Sequence, residues 1–149
     1  MPELGRLIEG ILFRFHMGLA SAKLLLDNPR VDSFEPIEVE ALADTGALFL
    51  RIPEHIANQL QLKETSRKEI TTADGKRQLC PYVGPIHIRF GNRECYVGAV
   101  ILGDEVLLGA VPMEDMDLVV IPSDRRVVAN PLNPNFAAGV AKGLKILSA

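Results

Sequence analysis

The run Ile37-Glu38-Val39-Glu40-Ala41-Leu42-Ala43 leads without a break into Asp44-Thr45-Gly46-Ala47. Apolar Ile37, Val39 and Ala41 alternate with Glu38 and Glu40, the period-two pattern of a strand with one buried face. That strand delivers a carboxylate, a hydroxyl and a glycine to a loop. A carboxylate on a tight loop at the end of a buried strand suits general acid and base chemistry. The same triplet is also ordinary turn composition, in which Asp bonds its own backbone and Gly supplies a positive φ. Three residues alone favour the turn; the order of features along the rest of the chain changes the balance.

Downstream, short strand-like runs alternate with turn residues, which predicts an all-β domain with short helices. Glu69–Ala73 and Lys76–Cys80 flank Asp74-Gly75, a pair that tolerates the positive φ angles of a type I′ hairpin turn. Ile86–Phe90 and Arg93–Val97 flank Gly91-Asn92, and Leu118–Ile121 and Arg126–Val128 flank the corner Pro122-Ser123-Asp124-Arg125. Pro53 is placed for the first turn of a helix that continues through His55, Ile56 and Leu60, and Pro112–Met116 predicts another short turn of helix. The chain from Asn130, with Pro131 and Pro134, reads as loop before a weak helical stretch over Ala137–Leu147. At the other end, Leu4, Leu7, Ile8, Ile11, Leu12 and Phe15 recur at three- and four-residue steps, predicting an amphipathic helix over residues 1–16. The expected organisation is therefore a helical extension over 1–16, a domain over 17–131 and a tail over 132–149.

Composition removes several function classes. The chain has 149 residues, about one domain, and 48% hydrophobic content suffices for a core. Sixteen Lys and Arg against nineteen Asp and Glu leave a net charge of −3, without the basic excess that phosphate backbones demand, so nucleic acid is not an expected partner. No apolar run approaches the roughly 20 residues that span a bilayer and no secretory leader is evident, which predicts a cytoplasmic protein without a membrane partner. Cys80 and Cys95 lack metal or redox spacing and are expected as buried free thiols. His16, His55 and His87 are scattered singly, and no phosphate loop, dinucleotide turn or serine-hydrolase elbow occurs, so neither a metal nor an organic cofactor is expected.

Four landmarks then occur in a telling order. They are Leu42-Ala43-Asp44-Thr45-Gly46-Ala47; the stretch Leu48–Leu62 with its Ile52-Pro53-Glu54 step; Thr72-Ala73-Asp74-Gly75-Lys76; and Val106-Leu107-Leu108-Gly109. In this order the chain from about Met17 to Pro131 resembles the retropepsin-like aspartic proteases (clan AA), and more closely their small stand-alone bacterial members. The resemblance implies the retropepsin-like acid protease fold, with Asp44, Thr45 and Gly46 as the catalytic loop. It further implies Thr72, Ala73, Asp74, Gly75 and Lys76 as a substrate-binding flap, and Ala47, Leu107, Leu108 and Gly109 as support for the loop. One stretch departs from the pattern: where the family often carries Arg or Asn near the helix after that glycine, this chain has Ala110-Val111-Pro112, which predicts a distorted helix.

Aspartic proteolysis needs two carboxylates that share one proton. The chain contains a single Asp-Thr-Gly; Ala73-Asp74-Gly75 lacks the hydroxyl residue, and Gly103-Asp104-Glu105 has the wrong order. The second carboxylate is therefore expected from Asp44 of another copy, in a two-fold homodimer. Thr45 would then hydrogen-bond across the axis, and Gly46 would let backbone N–H groups approach the carboxylate. The expected activity is endopeptidase cleavage of a peptide or protein substrate. The alternative is a non-catalytic dimerisation or peptide-binding module with the same fold.

Overall fold

In the computed structural model, residues 20–32 and 35–141 are described. The helix expected over residues 1–16 lies outside them. The elements are β1 (Ala20–Asp27), β2 (Ile37–Ala43), β3 (Leu50–Ile52), α1 (Glu54–Gln59), β4 (Lys63–Thr71), β5 (Arg77–Phe90), β6 (Arg93–Ile101), β7 (Val106–Leu108), α2 (Ala110–Asp115), β8 (Leu118–Ile121) and β9 (Arg126–Ala129). Among the described residues the fold is thus all-β with two short helices.

The strands hydrogen-bond in the order β4-β5-β6-β3-β7-β2-β1-β9-β8, and β1 also pairs with β5. That extra pairing closes β5-β6-β3-β7-β2-β1 into a barrel, leaving β4 on one side and the β8–β9 hairpin on the other. Alternation along the strands fills it. Ala20, Ala22, Leu24 and Leu26 of β1 point inward while Lys23 and Leu25 are exposed, and Ala41 and Ala43 of β2 join them against Leu50, Ile52, Ile86, Ile88 and Leu108.

The closing seam sets Leu26 opposite Ile88 and Asp27 opposite His87. His87 is buried, and its Nδ1 lies 3.2 Å from the Asp27 carboxylate while Tyr96 stacks on the ring at 4.5 Å. A polar contact at the end of the seam thus continues the apolar one. β5 pairs with three strands along its length: its first half forms a hairpin with β4, and its second half belongs to the barrel, between β6 and β1. The runs expected separately over 76–80 and 86–90 are one strand, because a register shift between Val83 and Ile86 absorbs Gly84-Pro85 without ending the β5–β6 pairing.

Three expectations of local structure change. The turn at residues 72–76 is not type I′, which needs positive φ at both central residues; only Gly75 has it, at 83°. Gly75 N–H donates to the Thr72 carbonyl (2.9 Å) and Thr72 N–H to the Lys76 carbonyl (2.8 Å), giving a three-residue loop with a left-handed glycine. The helix after Gly109 is regular over six residues, because Pro112 falls in its first turn, where an N–H has no intrahelical partner to lose. Residues 137–141 carry no helix, since the Ala138 N–H is taken by the Asp117 carboxylate (3.1 Å); the remainder of the expected 137–147 helix lies outside the described residues.

If Leu26 and Ile88 hold the barrel closed, Ile88→Ala should lower unfolding free energy by about 2–5 kcal/mol, whereas Leu79→Ala on the exposed hairpin should change it by roughly 0.5 kcal/mol or less. Urea unfolding of the two variants distinguishes these outcomes.

Candidate active site

Asp44 is the first residue beyond β2, and its placement starts with strand pairing. β2 runs parallel to β7, with Ala41, Leu42 and Ala43 opposite Val106, Leu107 and Leu108. The Asp44 N–H extends this ladder by one bond, to the Leu108 carbonyl at 2.9 Å. The chain then turns: Ala47 N–H donates to the Asp44 carbonyl (3.1 Å), and Gly46 N–H donates to the Asp44 side-chain Oδ1 (2.9 Å). A charged acceptor strengthens that last bond and fixes the carboxylate's direction. Asp44 is half-buried, while Thr45 and Gly46 at the apex are exposed.

The far side of the loop is held by α2. Ala110 N–H donates to the Ala47 carbonyl (2.8 Å) and Val111 N–H to the Leu48 carbonyl (2.9 Å), so the first N–H groups of this helix, which lack partners within it, are satisfied by the loop. Gly109 makes this approach possible. A Cβ at that position would stand 2.8 Å from the Leu48 carbonyl carbon and closer still to the Phe49 oxygen. Leu107 and Leu108 are buried beneath. Asp44, Gly46 and Ala47 are therefore joined by hydrogen bonds to Leu108 and Ala110, with Gly109 leaving room for the approach.

Thr72–Lys76 form the tip of the β4–β5 hairpin. The Asp74 carboxylate ties that tip, accepting from the Thr72 hydroxyl and from the Lys76 N–H (3.2 Å). These bonds, the Thr72 hydroxyl first, hold the Asp74 carboxyl below its ordinary value of 3.8. The hairpin meets the loop segment through residues that sequence reading did not single out. Lys68 of β4 lies over the rings of Tyr82 (4.8 Å) and Phe49 (5.5 Å), and those rings meet edge to face at 5.6 Å. Their spacing in the chain carries no local signal; only the pairing of β4 with β5 and the path of the loop bring them together.

Both cysteines are free and buried, and burial pushes the Cys95 thiol up to about 12, with the charges of Asp115 and Glu94 adding to it. Such thiols are poor nucleophiles. Among the described residues no group of three or more His, Cys, Asp and Glu is arranged to hold a metal ion, and no helix is long and apolar enough to cross a membrane.

No protein-family model and no curated protein matches the sequence. Among solved structures the chain is similar to the EIAV protease complexed with the inhibitor HBY-793, at 15% identity and a TM-score of 0.51, covering 69% of this chain and 92% of that one. The barrel with its projecting hairpin is thus the fold of a retroviral protease.

Gly109→Ala should cost about 1–3 kcal/mol, because backbone rather than a flexible side chain blocks the added methyl, while Gly139→Ala, which meets nothing within 4 Å, should be neutral in thermal unfolding. At the hairpin tip, the depressed Asp74 carboxyl stabilises the turn fully above 3.8, and that contribution is lost as pH falls through the depressed value. Amide resonances of Gly75 and Lys76 should show this titration, and Asp74→Asn should abolish it.

Proposed function

We propose that the protein is a homodimeric aspartic endopeptidase in which Asp44 of each chain supplies half of the catalytic pair. The observation that carries this reading is the Asp44 loop itself: a carboxylate directed by the Gly46 N–H, at an exposed turn braced from below by β7 and α2, in the fold of a retroviral protease. One carboxylate does not suffice for the chemistry, and the single Asp-Thr-Gly makes a second copy part of the site. Exposed Thr45 and Gly46 leave the apex open to such a copy, and Leu48, 55% exposed, extends the open surface beside it.

In the pair, repulsion between two nearby carboxylates keeps one protonated. The ionised Asp44 removes a proton from a water molecule as its oxygen attacks the scissile carbonyl carbon, and the protonated Asp44 gives its proton to the carbonyl oxygen. The tetrahedral gem-diol then collapses: its hydroxyl proton passes to a carboxylate, the amide nitrogen takes a proton from the other, and the C–N bond breaks. Only the two carboxylates and water take part. Residues 72–76 serve as the flap, closing over an extended peptide and excluding water from the cleft.

The domain responsible is proposed as residues 17–131, with 1–16 and 132–149 outside the catalytic unit. Two free, buried thiols suit a reducing compartment and support the cytoplasmic assignment.

Purified protein should sediment as a two-chain species and cleave members of a diverse peptide library, and Asp44→Asn should lower kcat/KM by roughly 10³-fold or more with the fold intact by circular dichroism. A monomer at all working concentrations, or a variant that cleaves as well as its parent, would overturn the proposal. Peptide binding without cleavage would assign the protein instead to the non-catalytic peptide-binding class.

A further inference from the structure

We propose that Lys68 is a specificity-determining residue, which selects substrates carrying Asp or Glu a few residues from the scissile bond. The inference rests on the peptide-cleft reading of the Asp44 site and adds to it a class of substrate.

β4 and β5 pair with Ser66 opposite Tyr82 and Lys68 opposite Cys80, so Ser66, Lys68, Ile70, Cys80 and Tyr82 share one face of the hairpin. Lys68 and Ile70 are half-buried while their neighbours Arg67, Glu69 and Thr71 are exposed, which identifies this face as the one turned toward the barrel. On it the Lys68 ammonium lies over Tyr82 and Phe49. Phe49 stands five positions after Asp44 and directly follows exposed Leu48. The cation is therefore positioned at the junction between the flap hairpin and the chain leaving the catalytic loop.

The platform beneath it is built rather than incidental. Tyr82 lies flat against β6 because position 98 is glycine; a Cβ there would fall 2.6 Å from the phenolic oxygen. The Phe49 and Tyr82 rings open onto a groove of about 330 Å³ continued by Tyr96, Val111 and Asp115. An aromatic face attracts a cation but leaves its N–H donors unused. The acidic side chains of the hairpin are committed elsewhere: Glu64 to Arg67 at 2.9 Å, Glu69 to Arg77 at 3.6 Å and Asp74 to Lys76 at 4.0 Å. Among the described residues no carboxylate lies within ion-pair distance of Lys68, so a cation lying over two rings that line the groove keeps its hydrogen-bonding capacity free. A peptide carboxylate is the group that matches it in charge and in donor geometry.

The test uses peptide sets that differ only by Glu, Gln or Lys at each successive position on either side of a cleaved bond. The parent protein should show a kcat/KM preference for Glu over Gln of roughly 5-fold at one position, the scale of a partly exposed ion pair. In Lys68→Met, which keeps the apolar stem on the rings, that ratio should fall to about 1, and in Lys68→Glu the preference should pass to Lys at the same position. A second measurement separates this inference from the catalytic one: Glu and Gln peptides are titrated into Asp44→Asn protein with and without Lys68→Met. Tighter Glu binding that disappears with Lys68→Met upholds Lys68 by itself, whereas a parent protein that binds these peptides and cleaves none of them refutes the peptidase alone. A preference that survives Lys68→Met, or no acidic preference in either cleavage or binding, overturns the role of Lys68.

Discussion

The parallel pairing of β2 with β7 is the constraint on which the candidate site depends. It places Asp44 one hydrogen bond beyond the barrel, and the Leu108 carbonyl that accepts this bond belongs to the residue before Gly109. The missing side chain at 109 then lets the backbone of residues 48 and 49 close down on the start of α2. Strand, loop and helix become one unit through backbone groups alone. Side chains in this unit mainly fill the core, while the half-buried carboxylate of Asp44 takes its orientation from the Gly46 N–H.

The long strand β5 ties the β4–β5 hairpin into the same framework. Its second half is locked between β1 and β6, where Ile86 and Ile88 are fully buried, Tyr82 and Val83 lie between β4 and β6, and the stretch from Arg77 to Pro81 pairs with β4 alone. Burial therefore declines along a single strand, from the core to a tip held by the turn at Thr72–Lys76, the Asp74 bonds and the Arg77–Glu69 ion pair. The cation over Phe49 and Tyr82 lies where the hairpin meets the chain leaving the Asp44 loop.

The sequence made the strand-turn grammar legible because it is local. Alternation through Ile37–Ala43, the Asp-Thr-Gly triplet and the apolar run before Gly109 each declare themselves within a few residues. The pairing of the triplet with that run required the family resemblance, and the structure joins them through the β2–β7 ladder. Pro112 was misleading for a physical reason: proline distorts helix interiors, but here it occupies a first turn that needs no N–H. The closure of β1 on β5, the His87–Asp27 contact and the Lys68 platform were not legible, because each joins residues far apart in the chain through sheet register. Turn type at Asp74-Gly75 failed on a finer point, the φ of a single residue.

The central claim is that one active site contains Asp44 from two chains, and mixing chains tests it most directly. Parent and Asp44→Asn proteins are allowed to exchange subunits at varying ratios with total protein fixed, and peptidase activity is measured against the parent fraction. If both carboxylates are required, mixed dimers are inactive and activity follows the square of that fraction. A linear dependence would show that each chain acts with its own Asp44 alone and would contradict the shared site.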